Sequence, residues 1–300
     1  MTYLYVLIIA VTFLLTAMVS GNNLSAAVGT LVGSRTVSRF TGEIIGILGF
    51  IAGLLLQGTL MVKAASSLMP RTPAAILYVM GISLLIFAIA TYIRSPLSLS
   101  MALVGAAIGV STRVGFPIDN SYVSALILVW LVSPILLVFL SIMILRLMHS
   151  IDFRNPWRIT AISRVLLVVT SFATAFALGA NTLGLIGAVS GYGAYTMPVM
   201  VVGIAGGGLL LANGTIRRVG EEMFSMRYSN ALVSLVLSTI AVEIGTQFGI
   251  PLSSTQTLTA SVLGSGLSYR FKALHLRPFM VVAATWIMSP LLGFLLGLAY

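Results

Sequence analysis

The sequence predicts an all-α integral membrane protein made of two related halves. Three observations predict it. Apolar residues fill 59% of the 300 positions and charged residues only 7%, with a mean hydropathy of +1.11. A soluble domain carries roughly 25% charged residues, so a chain this poor in charge needs lipid as its main solvent. Its apolar residues are gathered into runs of about 20 positions, the length a helix needs to cross a bilayer. Finally, three short sequence elements occur twice, in the same order. Period-two alternation is absent, which argues against a β-barrel.

The runs of spanning length cover residues 4–19, 44–62, 74–93, 123–148, 165–178, 195–212, 231–248 and 279–299. No positive charge precedes the first and no small-residue cleavage site follows it, so it reads as a retained span. Between the runs lie weaker segments, rich in small residues and still apolar: 21–34, 96–111, 179–193 and 251–268. They are too apolar for ordinary loops and predict re-entrant or broken helices, for about 8–12 membrane segments. Closely spaced glycines, such as Gly42, Gly46, Gly49 and Gly53, predict close helix packing.

Sixteen Lys/Arg against six Asp/Glu give a net charge of +10. The cations stand singly or in pairs between apolar runs, as with Lys63 and Arg71 or Arg217 and Arg218. That pattern fits the loops of a membrane protein, and no basic stripe exists to track nucleic-acid phosphates. With no cysteine, disulfides, thiolate catalysis and cysteine metal sites are excluded. His149 and His275 lie in connecting segments and read as surface or headgroup residues, so no metal site is expected. There is no Walker loop and no soluble catalytic constellation, so the chain does not read as an enzyme.

The first repeated element is Thr16-Ala17-Met18-Val19-Ser20-Gly21-Asn22-Asn23, matched by Thr174-Ala175-Phe176-Ala177-Leu178-Gly179-Ala180-Asn181. Pro96-Leu97-Ser98-Leu99-Ser100 is matched by Pro251-Leu252-Ser253-Ser254-Thr255, and Trp130-Leu131-Val132-Ser133-Pro134 by Trp286-Ile287-Met288-Ser289-Pro290. The copies lie about 155–158 residues apart. They predict repeats at 1–148 and 158–300, joined by a polar linker at 149–157. Internal duplication with interrupted apolar segments at matching positions is the pattern of secondary transporters, with the ligand site where the halves meet. Inverted repeats are favoured, because they make the two states of alternating access near equivalents.

In the second element a proline precedes hydroxyl residues and then an apolar run, the signature of a capped helix start. A helix starting inside the membrane exposes free N–H groups and the positive end of its dipole. An anion satisfies both, so Ser98, Ser100, Ser253, Ser254 and Thr255 are substrate-binding candidates. The alternative is a kinked span whose serines bond back to the preceding turn. Asn23 and Asn181 sit at matching positions and need a buried partner, either substrate or facing backbone. Glu243, inside a span, and Glu43, at the start of one, are candidates for a coupling proton or cation. Glu221 and Glu222 stand beside Arg217 and Arg218 and read as solvated.

At these residues the sequence resembles the inorganic phosphate transporter family often called PiT, which also contains sulfate permeases. That family carries two copies of a G-A-N-D-x-x-N motif and two of a P-x-S-[ST]-[ST] motif. Gly179-Ala180-Asn181 keeps three letters of the first, and Gly21-Asn22-Asn23 keeps two. Pro251-Leu252-Ser253-Ser254-Thr255-Gln256 matches the second well, and Pro96-Leu97-Ser98-Leu99-Ser100 partly. The stretch Asn213-Gly214-Thr215-Ile216-Arg217-Arg218-Val219-Gly220 is similar to the family's glycine-arginine loop. The resemblance covers nearly the whole chain and implies inverted helical repeats with re-entrant hairpins. It also implies cation-coupled or proton-coupled import of phosphate, with the Ser/Thr of the second motif as ligands.

This sequence departs from the family at the motif's Asp, which falls on Leu24 and Thr182, and at its final Asn, which falls on Ala27 and Leu185. Hard cations want charged oxygen ligands, and Leu24 offers none. Thr182 and Gln256 therefore join Glu243 and Glu43 as coupling-ion candidates, with H+ or Na+ as the only cofactor in view. The expected function is secondary transport of inorganic phosphate by a multi-pass protein of the cell membrane. Fewer negative charges at the site keep sulfate or another oxyanion open as the alternative. A third reading, from another class, is a non-transporting membrane subunit or an intramembrane enzyme. The expected partners are phosphate or sulfate, the lipid bilayer and, through an oligomeric state the sequence leaves open, a homo-oligomer; nucleic acid is not among them.

Overall fold

A computed structural model describes residues 2–93, 96–149, 156–212, 228–268 and 276–300. Residues 150–155 of the expected linker, the loop at 213–220, Glu221, Glu222 and His275 lie outside the described residues. Among those described, every regular element is a helix. The order is α1 (Thr2–Gly33), α2 (Arg39–Gln57), a 3₁₀ turn (Gly58–Met61), α3 (Val62–Leu68), α4 (Pro73–Tyr92), α5 (Leu99–Val114) and α6 (Asn120–His149). Then come α7 (Pro156–Leu178), a π turn (Gly179–Leu183), α8 (Gly184–Ser190), α9 (Thr196–Leu210), α10 (Tyr228–Gln247), α11 (Ser254–Leu267) and α12 (Leu276–Gly297). Among the described residues seven segments are long and apolar enough to cross a membrane, and Leu99–Val114 and Thr196–Leu210 are shorter apolar helices. The protein is therefore a multi-pass membrane protein.

Helix ends follow local chemistry. Ser38 caps α2 by accepting the Thr41 N–H at 3.1 Å. Thr72 caps α4 by accepting the Ala75 N–H at 3.3 Å, and Pro73 fills the first helical position, where its missing N–H costs nothing. At the other end of α5, Gly115 adopts φ 69°, a left-handed stop that a side chain would strain.

Packing between the halves is reciprocal. α1 lies on α9 as α7 lies on α2; α5 lies on α12 as α11 lies on α6. Each half's first helix thus packs on the second helix of the other half, and each half's short helix on the last helix of the other. Glycines make these crossings close. A Cβ on Gly53 would meet the Phe176 carbonyl oxygen, and one on Gly207 would meet that of Ala17. Along α2, Gly42 and Gly46 face Val32 and Leu24 of α1, while Gly49 and Gly53 face α7. The core between these helices holds Leu15, Leu24, Phe50, Leu54 and Leu103. By contrast, α6 and α12 present Leu131, Ile135, Phe139, Met280 and Ile287 outward, as lipid-facing helices do.

Two expectations about breaks need correction. Residues 4–19 and 21–34 are not separate segments but one helix of 32 residues. Gly21 does not break it; a Cβ there would lie 2.9 Å from the Gly207 carbonyl oxygen and 2.6 Å from Leu211 Cβ, so the glycine is a notch for α9. Its counterpart Gly179 does open an irregularity, but a mild one: a single π turn joins α7 to α8.

Candidate functional site

The two sharpest interruptions are the turns that start α5 and α11. Proline excludes helical geometry for the residue before it, and the capping serine then sits in extended conformation. Ser98 has φ −92° and ψ 117°; Ser253 has φ −85° and ψ 119°. Ser98 Oγ accepts the Met101 N–H at 3.4 Å, and Ser253 Oγ accepts the Gln256 N–H at 3.3 Å. Both serines are buried, as is Ser100, while Ser254 and Thr255 are half-buried. The hydroxyls of Ser253 and Thr255 lie 2.8 Å apart. Each turn therefore presents hydroxyls and first-turn N–H groups at the positive end of a helix dipole. The alternative of back-bonded serines in a kinked span does not describe Ser98 or Ser253, since both are caps.

Each turn is clamped by the last helix of the other half. Thr285 Oγ1 donates to the Pro96 carbonyl at 3.2 Å, and the Ser98 N–H donates to Ser289 Oγ at 3.0 Å. Trp130 Nε1 donates to the Pro251 carbonyl at 2.8 Å, and Gln256 Nε2 donates to the Trp130 carbonyl at 2.9 Å. The Trp-x-x-Ser-Pro element, legible in the sequence only as a sign of duplication, is thus a structural part of the site. Nothing in the sequence signals that role, because the contacts join the two halves.

An apolar cavity of about 580 Å³ lies between α5, α6 and α12; Met101 and Gln256 reach it from the starts of the two short helices, but none of Ser98, Ser100, Ser253, Ser254 and Thr255 lines it. No hydrogen bond links the Ser98 turn directly to the Ser253 turn among the described residues. A small, mostly apolar void of about 10 Å³ adjoins Ser254, with Thr174, Ser238 and Thr239 among its lining residues.

Asn181, on the π turn, is fully buried and fully engaged. Its Nδ2 donates to Thr246 Oγ1 at 3.0 Å and to the Ile250 carbonyl at 3.1 Å, and its Oδ1 accepts the Leu252 N–H at 3.0 Å. Facing backbone is one of the two partners expected for it, and these bonds fix the turn that leads into Ser253. Asn23 is buried in α1 and makes no side-chain hydrogen bond among the described residues. Thr182 is buried beside Asn181 with its hydroxyl unpartnered, and Gln256 has an unpartnered Oε1.

The two acids differ. Glu43 is paired with Arg39, Oε1 to Nε at 2.8 Å, one turn apart on α2. The i, i+4 spacing of Arg39 and Glu43 could have revealed that pair beforehand. Glu243 is half-buried within α10; Gln247 Nε2 donates to its Oε1 at 2.8 Å, and its Oε2 is buried without a partner.

Comparison with known proteins agrees with this architecture. A protein of Methanocaldococcus jannaschii named "Putative phosphate permease MJ0630" is 27% identical over 294 residues, covering 96% of this chain and 93% of its own. The "Sulfate permease CysP" of Bacillus subtilis is 25% identical over 298 residues, covering 92% of this chain and 81% of its own. A solved structure titled "The sodium-dependent phosphate transporter" shares the fold, with a TM-score of 0.88 at 15% identity over 100% of this chain and 98% of that one. The family model described as "Phosphate transporter family" matches residues 19–297, and the chain belongs to that family.

Proposed function

We propose that this chain is a secondary transporter of inorganic phosphate in the cell membrane, working by alternating access. The observation that carries the reading is the pair of serine-capped helix starts, both buried in a membrane protein of the phosphate transporter family. An anion leaving water needs its hydrogen bonds replaced. Ser98, Ser100, Ser253, Ser254 and Thr255 offer hydroxyls, and the two helix starts offer N–H groups with about half a positive charge each. This polarised but uncharged donor set suits reversible binding, which transport needs.

The helix inventory supports repeats of opposite orientation at 1–148 and 158–300. Among the described residues each half holds three segments, α1, α2–α3 and α6 or α7–α8, α9 and α12, plus a pair, α4 with α5 or α10 with α11. A pair that turns back adds no crossing, and one that spans adds two. Either way the number is odd, so a short linker starts the second half on the opposite side. Phosphate-loaded proteoliposomes are expected to accumulate or exchange labelled phosphate above empty-liposome controls; no flux above control would remove the transport reading.

A second reading, sulfate, is favoured by the B. subtilis sulfate permease and by Leu24 and Thr182 standing where the family carries an acid. Less negative charge near the site admits a fully divalent anion more easily. Excess sulfate that abolishes labelled phosphate uptake would make the site a general oxyanion site; uptake untouched by sulfate would restrict it to phosphate.

Coupling is assigned to a proton on Glu243. Its Oε2 is buried without a partner, whereas Glu43 is already neutralised by Arg39. Glu243→Gln is expected to abolish uptake driven by an imposed pH gradient while leaving phosphate exchange at zero gradient. Proton-driven uptake at the wild-type rate in this variant would return the coupling role to Thr182 or Gln256 and a sodium ion.

A further inference from the structure

The two hydroxyl-bearing turns are built alike but held differently. At the Ser253 turn, Asn181 grips the backbone at Ile250 and Leu252, and the Trp130 indole N–H grips the Pro251 carbonyl. Among the described residues neither grip is made at the Ser98 turn. Trp286 stands at the repeat position of Trp130, and its Nε1 is buried without a partner. Asn23 stands at that of Asn181, with no side-chain partner among the described residues. Ser133, the counterpart of Ser289, has its Oγ buried and unpartnered, whereas Ser289 accepts the Ser98 N–H.

Buried polar atoms are nearly always paired, so unpaired ones at matching repeat positions call for an arrangement that uses them. The parts for it are in place. Thr246, which Asn181 grips, has Thr91 as its counterpart, and both hydroxyls donate one turn back, to Val242 and Phe87 carbonyls at 2.8 and 2.7 Å. The Pro96 carbonyl has a second lone pair beside the one taken by Thr285.

We propose that Asn23, Trp286 and Ser133 are positioning residues that form the second of two alternating latches. In the other conformation Trp286 Nε1 donates to the Pro96 carbonyl, Asn23 engages Thr91 and the backbone at Leu97, and Ser133 accepts the Ser253 N–H. Trp130, Asn181 and Ser289 release their turns in that state. Exchanging one Trp–Asn grip for the other exposes the site to the opposite side of the membrane. Met101, the counterpart of Gln256, cannot supply that residue's bond to the opposite helix, so the second latch is the weaker and the present arrangement is the resting one.

This inference rests on the alternating-access reading but is tested without phosphate. The chain has no cysteine, so a single one introduced as Thr255→Cys or Ser100→Cys reports accessibility cleanly. Proteoliposomes of known orientation are treated with a membrane-impermeant maleimide from each side. Trp130→Phe removes one indole N–H and keeps the ring; Trp286→Phe does the same for the other latch. The ratio of labelling rates from the two sides is expected to shift about five- to tenfold in opposite directions for the two variants. Asn181→Ser and Asn23→Ser should repeat the opposition in milder form. Shifts in the same direction, or none in soluble, monodisperse variants, would overturn the latch. Opposite shifts in a protein that moves no phosphate would keep the latch and remove the phosphate reading.

Discussion

Alanine at both Ser98 and Ser253 is expected to lower phosphate uptake about a hundredfold or more, with each single variant falling between. A hydrogen bond to a charged partner contributes roughly 1.5–3 kcal/mol, so two lost hydroxyl contacts to the anion amount to about 3–6 kcal/mol. Each serine is also a cap whose loss costs the helix about 1 kcal/mol, which loosens the first turn that presents the N–H groups. Replacement by threonine keeps cap and hydroxyl and should restore much of the uptake. Isothermal binding in detergent separates the two contributions: the alanine variants lose affinity for phosphate even where the folded yield is normal. Wild-type affinity and uptake in the double variant would remove both turns from the substrate site.

Leucine at Gly207 is expected to prevent accumulation of folded protein, whereas leucine at the adjacent Gly206 leaves it near normal. The difference is set by what a side chain would touch. At Gly207 a Cβ meets the carbonyl oxygen of Ala17, a backbone atom that cannot move aside unless α1 and α9 separate. At Gly206 nothing lies within 4 Å. Overpacking of a tight contact costs about 1–3 kcal/mol, and a backbone-to-backbone crossing that must open costs more. The matching crossing of α2 on α7 predicts the same failure for Gly53→Leu. Thermal unfolding in detergent, followed by size-exclusion of the heated sample, checks the series. Equal melting temperatures for the two α9 variants would show that the crossing is softer than its geometry implies.

These glycines show how far the sequence could be read. Their spacing on α2 predicted close packing, and that is their role. The expected separation of residues 4–19 from 21–34 was incorrect, because a glycine tolerated within a helix and one that ends it look alike in sequence. The outcome was decided by α9, whose Gly207 backbone fills the notch. Ser98 and Ser253 were legible as caps because proline and serine act on their own neighbours through local sterics and hydrogen bonds. The ion pair of Glu43 with Arg39 was also legible, because Arg39 stands one turn earlier on the same helix.

By itself the sequence determined the solvent, the helical class, the duplication and the two capped turns. Each of these follows from composition or from interactions within a few residues of chain. Tertiary structure alone decided what holds the turns. Asn181 reaches backbone 71 positions away at Leu252, Trp130 reaches Pro251 121 positions away, and Ser98 reaches Ser289 191 positions away. Such contacts depend on how the halves dock, and docking is set by shape and backbone approach across the interface, which no local pattern encodes.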